Sequence, residues 1–207
     1  PERQRSMRAT FEHSWQLLSQ DEKDLLAQLS VFRGGFGREA ALRVTGASLS
    51  ILLALIDKSL VRRVAPDRYD MHGLLTQFAA EKLGDRPEQR EKAEMEHAWY
   101  FAAFLEGQEG RLKRGRGKGD FSELAADIDN VRRAWQLLVA HDWAPLVDQS
   151  VESLYLFYDY QCRFHEGVEL LSQGTERWAN DPRRRKALAK VLSRQGALHL
   201  QLCRYGR

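Results

Sequence analysis

Few residues of the sequence are spaced for covalent chemistry. Gly110 and Gly115 are separated as the glycines of a phosphate-binding loop are. But Arg116-Gly117 follows where Lys-Ser/Thr is needed to reach phosphate and metal, and Lys118 falls out of register. The run therefore reads as a basic loop. Neither a Gly-x-Ser-x-Gly elbow nor Asp-Phe-Gly occurs. His13, His72, His97, His141, His165 and His199 include no His-x-x-x-His or His-Glu-x-x-His pair that would hold zinc. The sequence reads as non-catalytic, with no metal.

One histidine has a position that chemistry could use. His72 follows Tyr69-Asp70-Met71, where a short hairpin should meet a helix. At a helix start, unpaired backbone N–H groups and the positive dipole end favour a phosphate. The same place suits a histidine that caps the helix or packs the hairpin, and the residues alone leave both readings open. Two basic runs are the other candidates: Arg111 to Lys118, with five charges in eight residues, and Arg183 to Lys186, with four in four. Clustered Arg and Lys can meet phosphates. No aromatic side chains interleave for base stacking, however, and solvated loops and helix starts have the same composition.

The elements that must position these residues follow from periodicity. Ser14 to Phe32 reads as helix, with Ser19 and Glu22 in capping-box spacing, and Gly34-Gly35 stops it. A short helix over 38–44 comes next. A third from Ser48 places Leu49, Leu52, Leu53, Ile56 and Leu60 on one face. The period then changes: 60–64 and 68–71 are strand-like runs around Ala65-Pro66-Asp67. Another helix over 72–83 completes the order expected of a winged helix. Residues 48–57 contain no base, so that third helix is suited to packing and not to a major groove.

Gly84-Asp85-Arg86-Pro87 is the clearest punctuation. Beyond it the apolar residues step by three and four, with breaks at 107–119, 142–145, 162–163 and 181–182. Cys162-Arg163-Phe164 recurs as Cys203-Arg204-Tyr205, 41 positions on, within the range of stacked helical-pair repeats. The reading is mainly α: residues 1–8 as the tail of a preceding helix, 9–84 as a winged-helix domain with a small β-hairpin, and 85–207 as a tetratricopeptide-like α-helical repeat domain. The missing initiator Met and the amphipathic pattern still running at Arg207 read as a piece of something longer.

Composition agrees. The 207 residues are 43% hydrophobic and 29% charged, which fits a folded globular chain. No apolar run approaches the roughly 20 residues of a membrane span. Two cysteines, Cys162 and Cys203, are too few for a disulfide framework, which points to the cytoplasm. A net charge of +3 does not by itself predict nucleic acid.

With these residues in hand the chain resembles the winged-helix and repeat region of signal-transduction ATPases with numerous domains (STAND proteins), including bacterial transcriptional regulators with an NB-ARC-type nucleotide switch. Four stretches carry the resemblance: Phe11 to Ser19, Leu29 to Phe36, Leu55 to Val61, and Tyr69 to Leu75. Within the last, Met71-His72-Gly73 is similar to the family's Met-His-Asp motif. Ile128 to Trp135 resembles the Asp-Asn-Leu-Arg element that opens the repeats in bacterial members.

The resemblance implies that His72 contacts the β-phosphate of ADP and latches the winged helix onto an upstream nucleotide-binding domain. Gly73, where plant members carry Asp, has no side chain to orient the imidazole. It further implies ADP and ATP as ligands of the intact protein and no cofactor in this segment. No Walker sequence lies in these residues, so any ATPase would be encoded upstream. A protein or small-ligand signal would act on the repeats, and the intact protein would oligomerise on activation. The competing reading is a DNA-binding winged-helix transcription regulator with a helical effector or dimerisation domain, to which Arg62 and Arg63 on the hairpin would contribute.

Overall fold

The structure, a computed structural model, describes residues 2–114 and 121–205. It divides after His97 into two compact units. The first contains α1 (Glu2–Gln16), α2 (Gln20–Gln28), β1 (Phe36–Gly37), α3 (Arg38–Thr45), α4 (Leu49–Asp57), β2 (Arg62–Ala65), β3 (Arg68–Asp70), α5 (Gly73–Gly84) and the start of α6 (Pro87–Arg114). The second contains the rest of α6, then α7 (Ser122–Ala126), α8 (Ile128–Ala140), α9 (Ala144–Tyr160), α10 (Phe164–Trp178) and α11 (Arg185–Tyr205). The molecule is mainly α, a winged helix followed by a helical-repeat unit.

In the first unit the expected helix over 14–32 is two helices. Ser19 interrupts it because its side chain serves the next helix: Ser19 Oγ accepts from Glu22 N at 3.3 Å, and Glu22 Oε2 accepts from Ser19 N at 2.8 Å. Glu22 also accepts from Lys58 Nζ at 2.6 Å, tying the start of α2 to the end of α4. α1 runs unbroken across the expected division between residues 8 and 9, and it docks on α5 through Phe11 and Trp15 against Phe78. A third strand, β1, was not expected, being too short to show alternation. It pairs antiparallel with β3, giving the sheet order β1-β3-β2.

The Lys58 ammonium, followed by the Ser19 N–H, holds the Glu22 carboxyl below its ordinary range. Because the folded chain takes up this proton later than the unfolded chain, the bond contributes stability above the unfolded-state value of about 4.3. That contribution is lost as pH falls through the folded value. Glu22→Gln should cost about 1 kcal/mol near neutrality, and the gap to the parent should close below about pH 4. Denaturant melts of both chains from pH 7 down to about pH 3 check this.

The expected punctuation at 84–87 is the link between α5 and α6, yet the compact units divide thirteen residues later, after His97. The first turns of α6 belong to the winged helix: Ala93 and His97 are buried, and the His97 ring lies 5.2 Å from that of Phe32. The expected loop over 107–119 is corrected as well, since α6 continues to Arg114. Leu112 is buried and Lys113 pairs with Glu109 one turn earlier at 2.5 Å, which holds Gly110 in helix and removes any phosphate-loop geometry there. Residues 115–120 of that basic run lie outside the described residues.

In the second unit, α9 and α11 are joined by Asp148 with Lys190, Glu152 with Arg194 and Asp159 with Gln201, each pair 42 residues apart. A constant offset means the two helices run parallel, one period apart. α8 and α10 are related likewise: Trp135 Nε1 donates to Leu170 O at 2.9 Å, and Asp142 meets Arg177 and Trp178. Alternate helices are thus parallel and neighbours antiparallel, as in stacked helical pairs.

The expected breaks at Asp142 and Cys162 are left-handed residues (φ +58° and +54°). Each closes its helix with a Schellman bond, Trp143 N to Leu138 O and Arg163 N to Tyr158 O, both 2.9 Å. Among the described residues, no single helix is long and apolar enough to cross a membrane.

Candidate functional site

His72 is the N-cap of α5. Its Nδ1 accepts from the backbone N–H of Leu74 at 3.3 Å, and its carbonyl accepts from Thr76 N at 2.9 Å. The capping reading of this residue is therefore correct as local structure. It also decides the tautomer: with Nδ1 accepting, a neutral ring carries its proton on Nε2, which is left as a donor.

The exposed ring lies on the wall of a cleft of about 610 Å³ whose lining includes Phe32, Arg33, Gly34, Gly35, Arg62, Asp70 and Gln77. Met71, next to it in the chain, is buried and anchors the turn that carries the ring. Gly73 is open on the side a Cβ would occupy, with no atom of the described residues within 4 Å of that position.

Residues of the cleft beyond His72 were not singled out as site residues from sequence. Gly34-Gly35 read only as a helix stop, yet both have positive φ, and a Cβ on Gly35 (φ +86°) would lie 2.7 Å from Tyr69 O. Only glycine lets this turn approach β3 so closely. Arg33 donates to Ser30 O and Phe32 O at 2.6 and 2.9 Å, which fixes its guanidinium at the rim. Arg62 Nη2 lies 2.6 Å from Asp70 Oδ2. Two guanidinium groups against one carboxylate, with the dipole of a twelve-residue helix behind His72, make the cleft favourable for an anion.

The surfaces a DNA reader would use differ in kind. The solvent side of α4 presents Leu49, Ser50, Leu53 and Asp57 and no cation. All four residues of β2 are exposed, including Arg62 and Arg63. The Ile128 to Trp135 element has packing roles: Arg132 donates to Tyr158 Oη at 2.9 Å and pairs with Glu166, and Trp135 is buried. Among the described residues, no cluster of His, Cys, Asp or Glu could hold a metal ion.

No protein-family profile matches the chain. Proteins of Mycobacterium tuberculosis and Mycobacterium bovis, described as candidate HTH-type transcriptional regulators, are 33% identical to it over 150 residues. The chain is similar to bacterial transcriptional regulators. The resemblance to that group, drawn from the residues, holds. The match covers 65% of this chain, and the chain spans 16% of the length of these curated relatives. Among solved structures, the chain is similar to a STAND protein with a tetratricopeptide-repeat sensor from Pyrococcus horikoshii. There the identity is 16%, 94% of this chain and 34% of that chain are covered, and the TM-score is 0.36.

Proposed function

We propose that this chain is a non-catalytic regulatory segment of a larger signalling regulator. The winged helix acts as a latch on the phosphates of ADP held by a nucleotide-binding domain elsewhere in the protein, and the helical repeats receive a protein or small-ligand signal. One observation carries the reading: the cap bond at Nδ1 leaves the Nε2 proton of His72 as a donor on a cleft that also holds Arg33 and Arg62. A helix start with two arginines fits a phosphate group. In this scheme His72 donates to a phosphate oxygen, and nucleotide exchange and hydrolysis are carried out by residues outside this chain. The test is ADP retention and basal output of the intact protein when His72 is replaced.

A second reading, a DNA-binding winged helix, is favoured by the naming of the relatives and by the exposed arginines of β2. The leucine-bearing face of α4, with Asp57 and no cation, weighs against it, since a groove-reading helix needs donors and cations there. Gel shifts of the chain with mixed-sequence duplex DNA should show at most weak retention that disappears at physiological salt, with no sequence preference. Saturable binding that survives about 0.15 M salt would transfer the function to this second reading.

A further inference from the structure

The repeat unit has a cleft of its own, about 350 Å³, between the first turns of α9 and α11. Its lining combines the apolar Ala144, Pro145 and Ala187 with Arg183, Arg184 and Lys186, and also includes Asp148 and Gln149. Neither helix has an acidic residue in its first turn, and α11, at 21 residues, follows a short turn, Pro182–Arg184, that is capped by Asp181 and carries two arginines. That is the wrong sign for a helix start, where the dipole repels positive charge.

The two carboxylates at the cleft, Asp148 and Asp181, already have cationic partners, and three cations line it against one carboxylate. Asp181 is committed to Arg183, accepting from its Nε and Nη2 at 3.0 Å each. Asp148 is engaged by Lys190, whose Nζ lies 3.7 Å from its carboxylate. Arg184 Nε has no hydrogen-bond partner among the described residues and forms only a long ion pair with Asp181, at 3.9 Å. The Arg184 side chain as a whole is 27% exposed and lines the cleft, so its charge is open to an anion there.

We propose that this cleft binds a compact dianion, a dicarboxylate or a phosphate ester, between Arg184 and Lys186, and that this anion is an effector of the repeat unit. The volume lies at the small end of ligand sites. The apolar Ala144, Pro145 and Ala187 accommodate a short carbon skeleton. The word effector rests on the sensor role given to the repeats above; the binding site does not.

The 207-residue chain is titrated calorimetrically with succinate and with inorganic phosphate at fixed ionic strength, beside Arg184→Gln, Lys186→Gln and His72→Ala. At least one of the two anions should bind saturably. Its affinity should drop roughly ten- to hundredfold in each glutamine variant and stay unchanged in His72→Ala. Lys186 is exposed, so its replacement removes charge without disturbing the core. The anion that binds names the head group. The proposal fails if neither anion saturates at concentrations on the order of 10 mM, if binding survives both glutamine variants, or if His72→Ala abolishes it and so moves the site to the other cleft. None of these outcomes bears on the latch, which is read with nucleotide in the intact protein.

Discussion

Gly167→Ala should destabilise the repeat unit by about 1–3 kcal/mol, whereas Gly174→Ala, two turns further along the same face of α10, should be neutral or stabilising by up to about 1 kcal/mol. A Cβ on Gly167 would lie 2.7 Å from Leu198 Cδ1, 2.8 Å from Tyr158 Cβ and 2.9 Å from Tyr158 Cγ. The leucine methyl is the far end of a flexible side chain, but Leu198 is itself fully buried. The tyrosine atoms sit next to the backbone of α9, and their ring is fixed at its other end by the bond from Arg132 to Oη. Three helices would have to separate by several tenths of an ångström, and a close-packed interior resists that.

At Gly174 the same methyl would meet Trp135, Val139 and Val191 at 3.6–3.7 Å, ordinary contact that adds dispersion and burial. Both substitutions gain the same helix propensity, so the difference between them isolates packing. Denaturant melts of the two variants decide the matter. Equal effects would mean that α9, α10 and α11 do not approach as closely as these distances require.

That pair of glycines also marks where sequence reading stops. The apolar steps of α8 to α11 and the breaks at Asp142 and Cys162 were legible because helical period and turn geometry are local. The near-repeat of Cys162-Arg163-Phe164 at Cys203 was legible too, and its spacing of 41 sits beside the offset of 42 that joins α9 to α11. Nothing local distinguishes Gly167, which needs its missing Cβ, from Gly174, which does not. The difference is set by side chains 9 and 31 residues away in sequence, at Tyr158 and Leu198.

The winged helix divides in the same way. Its capping box, hairpin and fourth helix were readable. β1 was not, because a two-residue strand exists only through its partner Tyr69 and Arg68 on β3. The allegiance of His97 to the first unit depends on Phe32, 65 residues away, and no spacing rule reports it. In the candidate site, His72 could be singled out from its place between strand and helix. Arg33 and Arg62 joined it only once the Gly34-Gly35 turn had brought their segments to one cleft.

The largest functional effect is expected at His72, and its test must separate the cap from the latch. His72→Ala removes both the acceptor that serves Leu74 N–H and the donor offered to a phosphate. His72→Ser keeps the first and removes the second, since serine is among the best N-cap residues and its hydroxyl reaches the same amides. Serine should therefore leave the melting of the chain unchanged or slightly improved, while alanine costs about 1 kcal/mol.

If the Nε2 donor holds ADP, both variants of the intact protein should lose roughly ten- to hundredfold in ADP affinity, the worth of one hydrogen bond to a charged acceptor, about 1.5–3 kcal/mol. Throwing a two-state switch from about 1% to 99% open takes about 5.5 kcal/mol, so neither variant should be fully active. A resting population of about 1% open should rise to between roughly 10% and 60%, read as raised basal output. The remaining free energy has to come from interdomain packing, for which the exposed Leu49 and Leu53 of α4 are available in the first unit. Wild-type ADP retention and basal output in His72→Ser would leave His72 as a cap alone and remove the latch.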